Sequence, residues 1–443
     1  MNRQNYSLTR KANSVDTETT RSARRKIAWR LLPFAFLLYV IAQLDRVNVS
    51  FAILRMKADL SFSDQIYGIG VAVFYLGYFL FEVPGAVIVE RWSARKWMSR
   101  IMISWGLITV LSGFVRTAGQ FYAARFLLGL AEASFFPGMI VYFTHWYRQS
   151  DRGRAIAFLY SAVPVSAVLG ASLAGWLLGV GWSGLAGWRW LFIIEGIPAV
   201  VFGLITLSYL TDWPEQARWL SRDEREWISS ELNAEKKAKE ETGKFSIWQA
   251  LGDRRTLLLL LPYLLANVGT TSIAFWLPTF VKRFSGLPND KVALVMMLPA
   301  VAGLVGLTNG WHSDKTGERR LHTAVPLLCV GAAYLLLIVS TPNFPTSMAL
   351  FTIGGTFVYA YYPAFWAIPG MILSESGAAA AFGLINGTGH LGGFFGPYII
   401  SFLSDRTHSF TPGFAFIGIC YIAAAVIIIR LRIVSTARAG GIV

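Results

Sequence analysis

Apolar runs of roughly 20 residues recur from Leu31 to Ile433, each long enough to cross a bilayer. A chain with that many such runs cannot hide them all in a water-soluble core. About twelve can be placed, near 29–54, 66–89, 98–115, 119–142, 154–180, 189–211, 256–282, 291–312, 322–341, 347–373, 378–403 and 412–433. Only 15% of the residues are charged and mean hydropathy is +0.49, whereas a soluble domain carries about 25% charged residues. The expected class is therefore an all-α membrane protein.

The net charge of +15 invites a nucleic-acid partner, but its distribution argues against one. Arg and Lys crowd the N-terminal tail (Arg21, Arg24, Arg25, Lys26) and the turns after spans 2, 4 and 8, while the turns after spans 3, 5 and 9 are nearly free of them. The loops after spans 1 and 7 carry a few. This is the positive-inside pattern, and it predicts both termini in the cytoplasm of a multi-pass inner (plasma) membrane protein. The first 26 residues are polar, read as loose chain, and lack the short apolar core and small-residue cleavage site of a signal peptide. Cys329 and Cys420 both fall in spans, against a disulfide and against a metal site.

From Thr211 to Arg255 acids and bases alternate, and Ser221 stands as a helix cap ahead of Glu224. The expected organisation is a cytoplasmic tail (1–26), a six-helix bundle (27–211), a cytoplasmic linker (212–255), a second six-helix bundle (256–434) and a short tail (435–443).

Four charged side chains sit inside spans: Asp45 and Arg46 in the first, Arg125 and Glu132 in the fourth. Charge in hydrocarbon is costly, so such residues face a water-filled path and pair with one another. Arg125 and Glu132 are seven positions apart and share one helix face, about 10 Å apart along the axis. Arginine stays charged and grips a carboxylate through a planar fork, while a carboxylate can take up a proton. Two acids beside two guanidiniums point to a proton-coupled carrier of organic anions. Read as structure alone, these four would form a pair of buried salt bridges that merely hold helices 1 and 4 together.

A short pattern repeats across the halves. After span 8 stand Gly310, Asp314, Lys315, Gly317, Arg319 and Arg320; after span 2 stand Ala86, Glu90, Arg91, Ser93, Arg95 and Lys96 at the same spacing. The acid can cap the next helix or pair with a base across the bundle. The pattern resembles the signature loop of the major facilitator superfamily. The second copy matches in full, and the first departs at Ala86, Glu90 and Ser93. Further segments resemble that superfamily's anion:cation symporter branch, close to bacterial tartrate, phthalate and hydroxyphenylacetate permeases. They are Leu44 to Asn48, Glu90 to Gly106, Arg125 to Gly138, Gly187 to Pro198 and Trp213 to Leu220.

The resemblance spans nearly the whole chain and implies two pseudo-symmetric six-helix bundles, twelve transmembrane helices in all, with substrate held between them. It implies proton coupling at Asp45 and Glu132 and a substrate carboxylate on Arg46 and Arg125. Tyr78, Asn386, Gln43 and Trp366 are further expected cavity residues, His390 is a remote proton candidate, and Glu82 and Glu195 are expected near span ends as partners for arginines. The implied function is import of a hydroxy-dicarboxylate such as tartrate, an aromatic acid or a sugar acid by proton symport. No cofactor beyond the proton gradient is expected, and the carrier is expected to be a monomer. Span 5, with Pro164 and Gly170 widely spaced, lacks the signature of a drug–proton exporter. A non-transporting sensor would be expected to bring a signalling domain, and no catalytic motif outside the spans suggests an enzyme.

Overall fold

The computed structural model describes residues 3–241, 254–340, 343–372 and 375–431. Among these, every regular element is a helix. The first half contains α1 (Arg3–Leu60), α2 (Asp64–Arg91), α3 (Ala94–Ser112), α4 (Ala118–Glu132), α5 (Phe135–Thr144), α6 (Gln149–Tyr160), α7 (Ala162–Leu177) and α8 (Gly187–Tyr209). A linker helix, α9 (Arg222–Glu241), follows. The second half contains α10 (Arg254–Ser285), α11 (Asn289–Val295), α12 (Met297–Gly306), α13 (Thr308–Thr316), α14 (Arg320–Ser340), α15 (Phe344–Ala367), the single turn α16 (Pro369–Ile372), α17 (Glu375–Thr407) and α18 (Thr411–Arg430). With α4–α5, α6–α7 and α11–α13 taken as broken spans, twelve spans divide six and six.

Helix starts in the first half follow local chemistry. Ser63, Ser93 and Thr117 each accept a hydrogen bond from the backbone N–H three residues on, at 3.1, 3.1 and 3.3 Å. Ser221 and Glu224 cap α9 reciprocally: the Ser221 N–H donates to Glu224 Oε2 at 2.8 Å, and the Glu224 N–H donates to Ser221 Oγ at 3.2 Å.

The two halves repeat one packing device. In lipid, helices associate through close backbone contact at small residues. A Cβ on Gly106 of α3 would lie 2.8 Å from the Gly196 oxygen of α8, and one on Gly196 would lie 2.7 Å from the Gly106 oxygen. The equivalent spans of the second half, α14 and α18, meet at Gly331 and Gly418 in the same reciprocal way, 3.0 Å each. Between the halves, α2 packs on α17, α7 on α11 and α12, and α1 on α10.

One cluster of polar contacts between the halves lies at the end opposite the basic turns. Asp64 takes ion pairs from Lys57 and from Arg283 of the second half, and Ser404 Oγ donates to it at 3.1 Å. The Gln65 N–H donates to Asp405 Oδ2 at 3.0 Å, and the Tyr67 hydroxyl to the Phe275 carbonyl at 2.6 Å.

One expectation is overturned. The stretch before Ile27 is not loose chain: α1 begins at Arg3. Residues of this extension are held from outside their own helix, which compensates for their polarity. Ser22 Oγ donates to Glu224 at 2.6 Å, Lys26 pairs with Glu224 at 2.8 Å, and Arg24 pairs with Asp151 at 2.5 Å.

Candidate substrate and proton site

Span 4 is broken where the site lies. α4 ends at Glu132, and Ser134 adopts φ 72°, ψ 2°, a left-handed conformation costing a non-glycine residue on the order of 1–3 kcal/mol. Neighbouring backbone offsets it: Ser134 Oγ lies 3.2 Å from the Phe81 carbonyl oxygen and 3.0 Å from that of Glu82 on α2. The approach is close enough that a Cβ on Gly85 would stand 1.9 Å from Ser134 Oγ. The break puts the Glu132 carboxylate, 1% exposed, at mid-span.

Glu132 is not the partner of Arg125. Arg46 reaches across from α1 and grips its Oε1 through Nε at 2.9 Å and through Nη2. Oε2 has no hydrogen-bond partner among the described residues. The Arg46 guanidinium also lies over the Tyr78 ring, 5.0 Å from its centroid. Asp45, one position along α1, faces away from Arg46. It accepts from Asn48 Nδ2 at 3.1 Å and from Thr109 Oγ1 of α3 at 2.9 Å. Successive helix positions differ by about 100°, so adjacent residues cannot share a face.

Arg125 is 2% exposed, and none of its three guanidinium nitrogens has a hydrogen-bond partner among the described residues. Its cation lies over the Phe74 ring at 4.5 Å, with Asp45 and Glu132 within electrostatic reach. A buried guanidinium with five unused donor hydrogens is expensive unless something brings acceptors to it.

Glu195 departs from its expected place as an end-of-span partner for arginine. It is 5% exposed, reaches Asn48, and its Oε2 has no hydrogen-bond partner among the described residues. Asn48 therefore stands between two buried carboxylates, Asp45 and Glu195. Glu82 likewise has no arginine partner among the described residues. Its Oε1 accepts from Asn386 Nδ2 across the interface at 2.9 Å and lies 3.4 Å from His390 Nε2. The His390 ring sits 4.5 Å from that of Tyr78, so one continuous set runs from Glu132 through Arg46, Tyr78 and His390 to Asn386 and Glu82. Gln43 is half-buried and bonded to Tyr39. Trp366 packs edge-on to Tyr263 at 4.9 Å.

The repeated loops brace helix ends. In the second copy Gly317 ends α13 at φ 70°, which a side chain would strain. Gly310 lets Pro363 approach to 2.6 Å of where its Cβ would be. Asp314 pairs with Arg319 of its own loop at 2.5 Å rather than capping α14 or reaching across the bundle. Glu318 supplies the cap, accepting from the N–H groups of Leu321 and His322 at 2.8 and 3.1 Å. Lys315 lies 5.5 Å over Trp311, and Arg320 donates to the Leu431 carbonyl at 3.5 Å. In the first copy the Arg95 N–H donates to Asp212 at 2.9 Å, tying this turn to the linker. The Glu90 and Arg91 side chains lie outside the described residues.

Comparison with known proteins agrees with this architecture. The family model described as Major Facilitator Superfamily matches residues 35–397. A protein of Agrobacterium vitis named "Putative tartrate transporter" is 42% identical over 414 residues, 92% of this chain and 94% of the relative. A quinolone resistance transporter of Acinetobacter baumannii is 35% identical over 397 residues, with 89% and 91% covered. Among solved structures, a D-xylose–proton symporter has a similar fold, with TM-score 0.73, 17% identity, and 91% of this chain and 97% of that one covered.

Proposed function

The chain belongs to the major facilitator superfamily, and from that premise we propose that it imports a small organic anion together with protons by alternating access. It is a membrane transporter, not an enzyme. The observation that carries the reading is Arg125, a buried guanidinium with no hydrogen-bond partner among the described residues, next to an arginine already committed to a carboxylate. A substrate carboxylate supplies the acceptors Arg125 lacks. A proton arriving on Glu132 releases Arg46, so that both forks face the anion. Loss of that proton on the other side re-forms the Arg46–Glu132 pair and ejects the substrate. Asp45 is the second proton carrier, with Glu195 joined to it through Asn48. Tyr78, Gln43, Asn386 and Trp366 shape the cavity.

On the positive-inside reading, the Lys57–Asp64–Arg283 end is the closed outer gate, and both termini lie in the cytoplasm of the inner membrane. The carrier works as a monomer, without a cofactor. A compact hydroxy-dicarboxylate is the favoured substrate, supported by the name of the Agrobacterium vitis relative and by the largely apolar span 5; aromatic and sugar acids follow.

The test is uptake of radiolabelled organic acids into proteoliposomes. Import by symport predicts accumulation when the outside is acidic and none without a pH gradient. One observation favours a second reading, export: the 35% identical quinolone resistance transporter. Accumulation only when the inside is acidic would establish exchange and overturn import.

A further inference from the structure

A cavity of about 320 Å³ lies at the basic end of the first half, away from the transport path. One wall is a stripe of α1: Arg21, Arg25, Ala28 and Leu32 recur every three or four positions and so share a face. The opposite wall comes from Arg148, Asp151 and Arg154, and Trp227 of the linker helix closes the third side. The stripe runs from charged to apolar along one helix, from Arg21 and Arg25 to Ala28 and Leu32. Trp29, beside the changeover, is 73% exposed. An outward-facing tryptophan at that height marks the boundary between water and hydrocarbon.

Charge within the cavity does not balance. Five arginines line it against one acid, and that acid, Asp151, is shared by Arg24 at 2.5 Å and Arg148 at 3.3 Å. Three linker acids near it are also committed: Glu224 to Lys26, Glu231 to Arg148 and Glu235 to Arg152. Arg21, Arg25 and Arg154 have no ion-pair partner among the described residues.

We propose that this cavity holds the phosphate headgroup of an anionic phospholipid from the bilayer. Arg21, Arg25 and Arg154 serve the phosphate, and the first acyl carbons lie along Ala28 and Leu32. Guanidinium forks match phosphate oxygens, and basic pockets at the membrane surface recognise such headgroups. A water-soluble anion would use the arginines alone and would gain nothing from the apolar floor. The bound lipid would join three elements that otherwise meet through ion pairs: the α1 extension, the start of α6 and α9. The site does not depend on the transport reading, and its assignment to the cytoplasmic leaflet rests on the positive-inside pattern.

The test uses the purified full-length chain in nanodiscs, so insertion orientation does not matter. Native mass spectrometry and a lipid titration compare phosphatidylglycerol with phosphatidylcholine. The wild type should prefer phosphatidylglycerol by tenfold or more. Replacing Arg21, Arg25 and Arg154 together by Ala should remove that preference and leave phosphatidylcholine retention unchanged. Leu32→Trp keeps every charge and fills the apolar floor; it should also weaken phosphatidylglycerol binding severalfold, which covers the case of a poorly folded triple variant. Millimolar inorganic phosphate should not displace the lipid. Equal displacement by phosphate would make this a soluble-anion site and overturn the proposal. A triple variant with wild-type lipid preference would overturn it too.

Discussion

The two halves share a backbone plan and differ in chemistry. Gly106 with Gly196 and Gly331 with Gly418 pin equivalent helix pairs by the same reciprocal contact. Yet among the described residues every buried carboxylate and arginine of the spans lies in the first half: Asp45, Asp64, Glu82, Arg125, Glu132 and Glu195. The second half buries hydroxyls and rings, such as the Thr270–Tyr421 pair at 2.7 Å and the Tyr263 stack on Phe365. Duplication of a helical scaffold therefore does not duplicate its charges. One half can hold ions while the other supplies neutral walls and donors. Buried ionic groups and neutral walls thus lie in different halves, and substitutions can address each separately.

The largest effect is expected in the charged half. Arg125→Lys keeps the charge but loses the fork, as does Arg46→Lys, and each should lower substrate affinity tenfold or more, about 1.4 kcal/mol or above. Unchanged calorimetric affinity in both would mean that neither arginine holds the substrate. In the neutral half, Trp366→Ala and Asn386→Ala should reorder the preferred acids by about three- to tenfold, on the order of 1 kcal/mol, while gradient-driven accumulation survives. Loss of accumulation there would show that coupling is spread over both halves. Cysteine scanning sharpens the orientation. A cysteine at the exposed Ser183 should label from outside, and one at the exposed Lys237 only after permeabilisation; the reverse would invert the gate assignment.

The smallest effect is at the linker. Burial would raise the Glu224 carboxyl, but hydrogen bonds from Lys26, Ser22 and the Ser221 N–H outweigh it and hold the group below the usual carboxylate range. A depressed folded value means the stabilisation is complete above the unfolded value and is lost as pH falls through the folded one. Glu224→Gln should therefore destabilise by about 1 kcal/mol or less at neutral pH. The deficit should vanish in acid, as read by thermal unfolding at both pH values.

What sequence spacing revealed was whatever a single helix determines. The spans, the Ser221–Glu224 cap and the repeated loops follow from periodicity and local hydrogen bonding. Partners chosen between helices were not legible. The i, i+7 spacing put Arg125 and Glu132 on one face, but Arg46 of α1 takes Glu132, and the span breaks just beyond it at Ser134, an ordinary residue in an unusual conformation. Glu195 looked like an end-of-span residue, and only the packing of α8 against α1 and α3 brings it to Asn48. Glu82 meets Asn386 and His390 from 304 and 308 positions away, which no local pattern encodes. The helical α1 extension was hidden for the same reason, since the acids that hold it lie on α6 and α9.

Proteoliposomes carrying Glu132→Gln and Asp45→Asn test whether the charged half couples substrate to protons. Both variants should still exchange labelled for unlabelled substrate across the membrane. Neither should concentrate it when an inward proton gradient is imposed. If both accumulate substrate against a gradient as the wild type does, the proton site lies elsewhere, and the account is contradicted.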